Sequence, residues 1–319
     1  MKDYDNPVVL SYCHPMRLIT KPQEKVTFSL DEINKCSYNN YLLCRIVGSI
    51  ENTYRGTKVT YLVCGDGALA IGKEHNLTIN QLLLHYNDLL CKLLFGGVDV
   101  EGITSKDIAT GYVKDEKMVW PVNFGHSYNS HLHACIRMKL TTSFDAIVLH
   151  GASESSISIS EFRKSLLDGT EITDSTSNLS TYHLIQGITE MKYGNWSSAV
   201  TNLWIVAEQI TDCLWEREYV NCETRDPEIS GRRQTLLQDH RTYSASVKQE
   251  LLYQIGLLPK ETYRRIYRIR KARNKLIHEG IMVEKEDAHQ LYQAIDELLG
   301  IVINNKGKSI MPTLRPFRV

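Results

Sequence analysis

The spacing of apolar residues changes part-way along this 319-residue chain. Over residues 1–150 apolar side chains mostly alternate with polar ones or gather in short β-branched runs; from about residue 178 they recur every third or fourth position. A period of two lines one face of a strand, and a period of 3.6 lines one face of a helix. One all-helical or all-β body is therefore excluded. The expected class is α+β, an N-terminal β-rich domain followed by a C-terminal all-α helical bundle. The length suits two domains.

In the first part, Lys25–Leu30 alternates, Tyr41–Ile50 is a mainly apolar run, and Lys58–Cys64 ends at Gly65-Asp66-Gly67. The latter two runs are expected to pair as a hairpin with a loop longer than the tightest type. Leu77–Leu94 departs from this pattern. Thr78 is placed to cap a helix whose Leu82, Tyr86, Leu89, Leu90 and Leu93 share a face, and Gly96-Gly97 ends it. Strands are expected again at Ile108–Val113, His131–Leu140 and Phe144–His150. Residues 151–177 are rich in Ser and Thr and read as a connection, with a short helix at Glu161–Leu167.

The second part, residues 178–304, reads as helices over Leu179–Tyr193, Trp196–Leu214, Ser244–Leu258, Pro259–His278 and about 284–303. A polar stretch, Glu223–Arg233, interrupts them. Residues 305–319 form a basic tail with Lys306, Lys308, Arg315 and Arg318.

Lys and Arg together number 37, as do Asp and Glu, so the net charge is zero and gives no sign of a nucleic-acid partner. Eight cysteines occur without a C-x-x-C pair, and most lie in apolar runs, as expected of buried reduced thiols in a cytoplasmic protein. The start of the chain lacks a basic and apolar leader, and no apolar run is long enough for a membrane span. Against this neutral background, Pro259–Glu279 carries eight basic and two acidic residues, a local charge of +6. Such a stripe attracts a phosphate backbone unless the acidic final helix neutralises it.

Arg273-Asn274-Lys275-Leu276-Ile277-His278 ends this stripe. An imidazole moves protons near neutral pH, and a planar guanidinium grips a phosphate through two N–H groups. Five residues separate Arg273 from His278, about 140° around a helix, so one copy does not present both on one face. Asn274 lies one turn before His278. Glu208, within the long preceding helix, is a supporting carboxylate for Arg273 or His278, and Arg268, Arg270, Lys271 and Lys275 are candidate RNA contacts.

The R-N-x-x-x-H segment near the end of an amphipathic helix, with a long apolar helix before it and one amphipathic helix after it, resembles the HEPN superfamily, whose motif is R-x-x-x-x-H. The resemblance covers roughly residues 178–304. It implies a metal-independent endoribonuclease without cofactor, in which Arg273, Asn274 and His278 act on RNA within a homodimer whose two motifs line one cleft. It also implies a toxin or antiviral defence effector of the abortive-infection kind, with residues 1–150 sensing a trigger or binding a partner. The family also contains non-catalytic RNA- or nucleotide-binding modules. The subtype whose motif extends to R-x-x-x-x-H-x-Tyr is disfavoured, because Gly280 stands where the Tyr would be. His131-x-His133-x-Cys135 would offer three metal ligands on one strand face, but no second ligand cluster accompanies it, and no metal is expected.

Overall fold

A computed structural model describes residues 6–176, 178–221, 242–304 and 309–314. The chain is mixed α+β and divides into two compact units, Met1–Gly169 and Thr170–Val319. Cys222, the Glu223–Arg233 stretch and the four cations of the basic tail lie outside the described residues.

The first unit is built on a six-stranded antiparallel sheet. Its strands are β1 (Pro7–Tyr12), β3 (Ile46–Tyr54), β4 (Thr57–Cys64), β5 (Ala68–Gly72), β6 (Ala109–Lys114) and β7 (Met118–Pro121), in the order β3-β4-β5-β1-β6-β7. An isolated bridge between Arg45 and Met118 ties the start of β3 to the opposite edge, so the sheet curls toward closure. Two short strands, β2 (Ile19–Thr20) and β8 (Ile157–Ser158), pair in parallel beside it. The expected hairpin forms as β3–β4, with Tyr54 opposite Thr57. Its loop is shorter than the sequence suggested, just Arg55 and Gly56, both at positive φ (47° and 80°). That is the backbone of a tight primed turn, adopted without the usual Asn-Gly signal.

One face of the sheet gathers Val8, Leu10, Ala68, Ala70, Ala109 and Val119 into a core. On the other side lies the helix α3 (Ile79–Phe95). Thr78 caps it as expected, in a reciprocal capping box with Gln81. Tyr86 of α3 donates from its hydroxyl to the carbonyls of Val9 and Leu69. Lys92 and Asp88, both buried, pair at 2.9 Å and share Asn52 of β3.

Several expected strands are helices instead. Tyr41–Cys44 forms a short helix, α2, before β3 begins, after α1 (Leu30–Asn34). Lys25–Leu30 does alternate, with Val26 and Phe28 buried, but it pairs with no strand among the described residues. His131–Leu140 and Phe144–His150 fall within α4 (Tyr128–Arg137) and α5 (Ser143–Glu154). Local chemistry explains the outcome. The side chains of Ser127 and Thr142 cap these helices, and Asp145 completes a capping box with Thr142. Leu132 and Ile136, then Ala146 and Leu149, reach the core at helical spacing. Phe144 and Ile147 of α5 face solvent, 59% and 64% exposed, and they made the segment read as a continuous apolar run. Residues 151–176 are likewise mostly helical, ending α5 and forming α6 (Ile159–Asp174), rather than a polar connection.

The core of this unit also holds an ionic knot. Asp66 accepts from Arg137 Nε at 2.6 Å and Nη2 at 2.7 Å, and both side chains are essentially inaccessible. Arg137 Nη1 donates to the Val119 carbonyl at 2.9 Å, and His133, stacked on Tyr12 at 4.1 Å, lies 3.4 Å from Asp66.

The second unit contains five α-helices after α6 among the described residues: α7 (Thr181–Lys192), α8 (Trp196–Trp215, followed by a π-helical turn at Glu216–Val220), α9 (Ala245–Gln254), α10 (Lys260–Glu279) and α11 (Lys285–Val302). Each was expected from the 3.6 period. On α8 the buried stripe runs through Ala199, Leu203, Val206, Ile210 and Leu214. A Cβ added at Gly187 of α7 would stand 2.5 Å from Leu203, so α7 and α8 approach as closely as a glycine permits. Ala288, Leu291, Ile295, Leu298 and Leu299 form the inner face of α11.

Candidate active site

The helix that carries the motif is anchored at one end and projects at the other. Thr262, Ile266 and Ile269 are the buried residues of α10, spaced to face the bundle. Tyr263 stacks on Tyr253 of α9 at 4.8 Å and donates its hydroxyl to Glu250, which holds that carboxyl below its ordinary range. Continuing the buried stripe by four and then three residues reaches Arg273 and Leu276, both half-buried. Arg273 thus occupies a core-type position on the part of the helix where the packed core has ended. The helix stops at Gly280, whose φ of 70° and N–H bond to the Leu276 carbonyl, at 3.2 Å, make a left-handed cap.

His278 lies in the last turn and is exposed, as is Asn274 one turn earlier. Arg273 Nη1 approaches Asn274 Oδ1 at 3.4 Å, so these two residues touch. Arg273 and His278 do not: five helical steps place them about 140° apart, as the spacing required. Glu208 makes no hydrogen bond or ion pair to either of them among the described residues. Its carboxylate Oε1 accepts from Trp204 Nε1 at 2.7 Å, one turn earlier on α8.

The basic stripe is partly neutralised. Arg264 pairs with Glu261, Arg265 with Glu297, and Arg268 with Asp287 at 2.9 Å. Arg268, expected as an RNA contact, therefore has its Nε committed to the protein. Lys260, Arg270, Lys271, Arg273 and Lys275 have no carboxylate partner among the described residues. Arg270 and Lys271 instead stand over the Tyr267 ring, at 5.1 and 4.6 Å from its centroid. The acidic final helix takes Arg265 and Arg268, Glu261 of α10 itself takes Arg264, and the cations near the motif have no carboxylate partner among the described residues.

Beside these free cations lies a cleft of about 470 Å³ between α10, the loop after Gly280 and the first turn of α11. Tyr267, Arg268, Lys271 and Lys275 line it from α10, and Met282, Glu284 and Asp287 line it from the loop and α11, with Asp287 paired to Arg268. At 100° per residue, Tyr267, Lys271 and His278 fall within about 40° of one another on α10, whereas Arg273 lies on the core-facing side. Tyr267 and Met282 were not legible as site residues, because they come to line one cleft only when the loop folds back past the helix end. The exposed apolar residues here, Ile277 (51%), Ile281 (50%) and Met282 (72%), were the available signal.

The three-ligand reading of His131-x-His133-x-Cys135 fails on α4, where alternate residues point in opposite directions. His133 is buried against Asp66, while His131 faces Cys135 Sγ at 3.5 Å. Among the described residues no group of three such side chains is placed to hold a metal, and no helix is long and apolar enough to cross a membrane. The chain matches no family model, no curated protein and no solved structure.

Proposed function

We propose that the C-terminal unit is a metal-independent endoribonuclease of HEPN type, working as a homodimer in a toxin or antiviral defence effector. The observation that carries this reading is the end of α10: an exposed His278 on the same side of the helix as Lys271 and Lys275, two cations without carboxylate partners among the described residues. RNA brings its own nucleophile. With His278 as base, the 2′-hydroxyl loses its proton and attacks the adjacent phosphorus. The P–O5′ bond breaks, and an imidazolium returns a proton to the leaving 5′-oxygen. The products are a 2′,3′-cyclic phosphate and a 5′-hydroxyl. Charge on the phosphorane is met by the guanidinium of Arg273, and Asn274 holds that guanidinium in place.

A second subunit supplies the missing geometry. Arg273 cannot share a face with its own His278, and Ile277 and Ile281 leave apolar surface at the end of the helix for a partner copy to cover. The N-terminal unit would then sense the trigger. The separation of Arg273 from His278 within one chain favours the alternative, a non-catalytic RNA- or nucleotide-binding module. Purified protein incubated with total RNA in EDTA, beside His278→Ala, decides between them. Cleavage that persists in EDTA and disappears in the variant supports the enzyme. Binding by both proteins without cleavage supports the module.

A further inference from the structure

The cleft beside α10 has a composition that the cleavage chemistry does not need. Its volume of about 470 Å³ falls in the range of small-ligand sites. Tyr267, 40% exposed, lines it with a ring that Arg270 and Lys271 stand over at 5.1 and 4.6 Å, and Met282, 72% exposed, lines it with a soft apolar side chain whose sulfur accepts from Ser197 Oγ at 3.7 Å. A base reaches the ring as the two cations swing off it toward a phosphate. Lys271 and Lys275, one turn apart, give the rim two positive charges, while Glu284 and Asp287 line the cleft from the start of α11. Glu284 precedes α11 without using its side chain as a cap, and Asp287 spends one oxygen on Arg268. Carboxylate oxygens only accept hydrogen bonds. An aromatic face, a cationic rim and an acceptor wall together match a nucleotide whose base carries an exocyclic amino group.

We infer that this cleft holds one nucleotide of single-stranded RNA, its base between Tyr267 and Met282 and its phosphate on Lys271 and Lys275; the identification of that strand as substrate rests on the ribonuclease reading. Adenine and cytosine donate from their amino groups to Glu284 and Asp287. Uracil presents carbonyls on both sides of its single N–H and is repelled there. Lys275 lies one turn from His278, so a strand anchored in the cleft runs directly to the imidazole. The cleft thereby sets which phosphodiester is cut, choosing one next to an amino-bearing base.

The test separates binding from chemistry. Full-length His278→Ala protein is titrated in EDTA with labelled, 2′-O-methylated decamers of A, C and U, and anisotropy is read. The A and C decamers bind more tightly than U. Tyr267→Ala weakens binding of the A and C decamers about tenfold, through lost stacking, and Tyr267→Phe restores it. Glu284→Ala erases the difference between bases. The double variant Lys271→Ala/Lys275→Ala flattens the dependence of affinity on salt by about 1.4 in logarithmic slope. Equal affinity for all three decamers, insensitive to Tyr267→Ala and Glu284→Ala, reduces the cleft to a charged ridge and overturns the inference, as does failure of every decamer to bind. Base-selective binding by a chain whose parent cuts no RNA would sink the ribonuclease reading and leave the nucleotide cleft standing.

Discussion

At the scale of single residues, the firmest consequence concerns the buried Asp66–Arg137 pair. Burial alone would raise the Asp66 carboxyl, but the Arg137 charge and the hydrogen bonds from His133 and Arg137 outweigh it and hold the group far below its ordinary range. A carboxylate depressed in the folded state adds stability above its unfolded value and loses it as pH falls. The contribution is thus full at neutral pH and begins to fall below about pH 4. Asp66→Asn leaves Arg137 buried without its counter-charge. It is expected to destabilise the N-terminal unit by about 3–5 kcal/mol in urea at pH 7, and by less at pH 3. An equal loss at both values would show that the charge is not what matters. Burial likewise pushes the thiols of Cys13 and Cys64 up to about 12 and Cys44 up to about 11, whereas Cys36 is exposed. Iodoacetamide at pH 8 should therefore modify Cys36 in the native protein, with Cys13, Cys44 and Cys64 reacting only in denaturant, as peptide mass spectrometry would report.

At the scale of elements, the helices of the second unit were legible because one period and clear stop signals agreed: Thr262, Ile266 and Ile269 mark the inner face of α10, and Gly280 ends it. The α3 helix was legible for the same reason, from Thr78 through Leu93. Failures came where exposed apolar residues filled the gaps in a helical pattern, as Phe144 and Ile147 did in α5. They also came where a polar residue had a distant partner: Asp66 read as an ordinary turn residue, since Arg137 is 71 positions away. The motif residues were visible as a sequence pattern. The cleft beside them was not, and neither was the Trp204 bond that occupies Glu208. The cap of α10 offers a direct check. A Cβ at Gly280 meets open space, so Gly280→Ala carries only the cost of a left-handed backbone, about 1–2 kcal/mol in thermal or urea unfolding of the C-terminal unit. A neutral result would mean that the helix end relaxes freely.

At the scale of the whole molecule, the proposed ribonuclease works as two copies. Arg273 and His278 are separated by helix geometry within a chain, and a symmetric pair is the arrangement that can bring one of each to a common phosphodiester. Arg273→Ala and His278→Ala chains, each inactive alone, are expected to recover part of the activity when refolded together, because a mixed pair retains one guanidinium and one imidazole. Recovery should follow the fraction of mixed dimer seen in native mass spectrometry. No recovery despite mixed dimers would place both groups in separate sites.

The most direct test of the central claim is the chemistry of the cut ends. RNA incubated with the wild-type chain in EDTA should yield fragments ending in 2′,3′-cyclic phosphate and beginning with 5′-hydroxyl, and His278→Ala should yield none. Fragments with 3′-hydroxyl ends, cleavage that requires a divalent metal, or equal cleavage by the His278→Ala chain would contradict it.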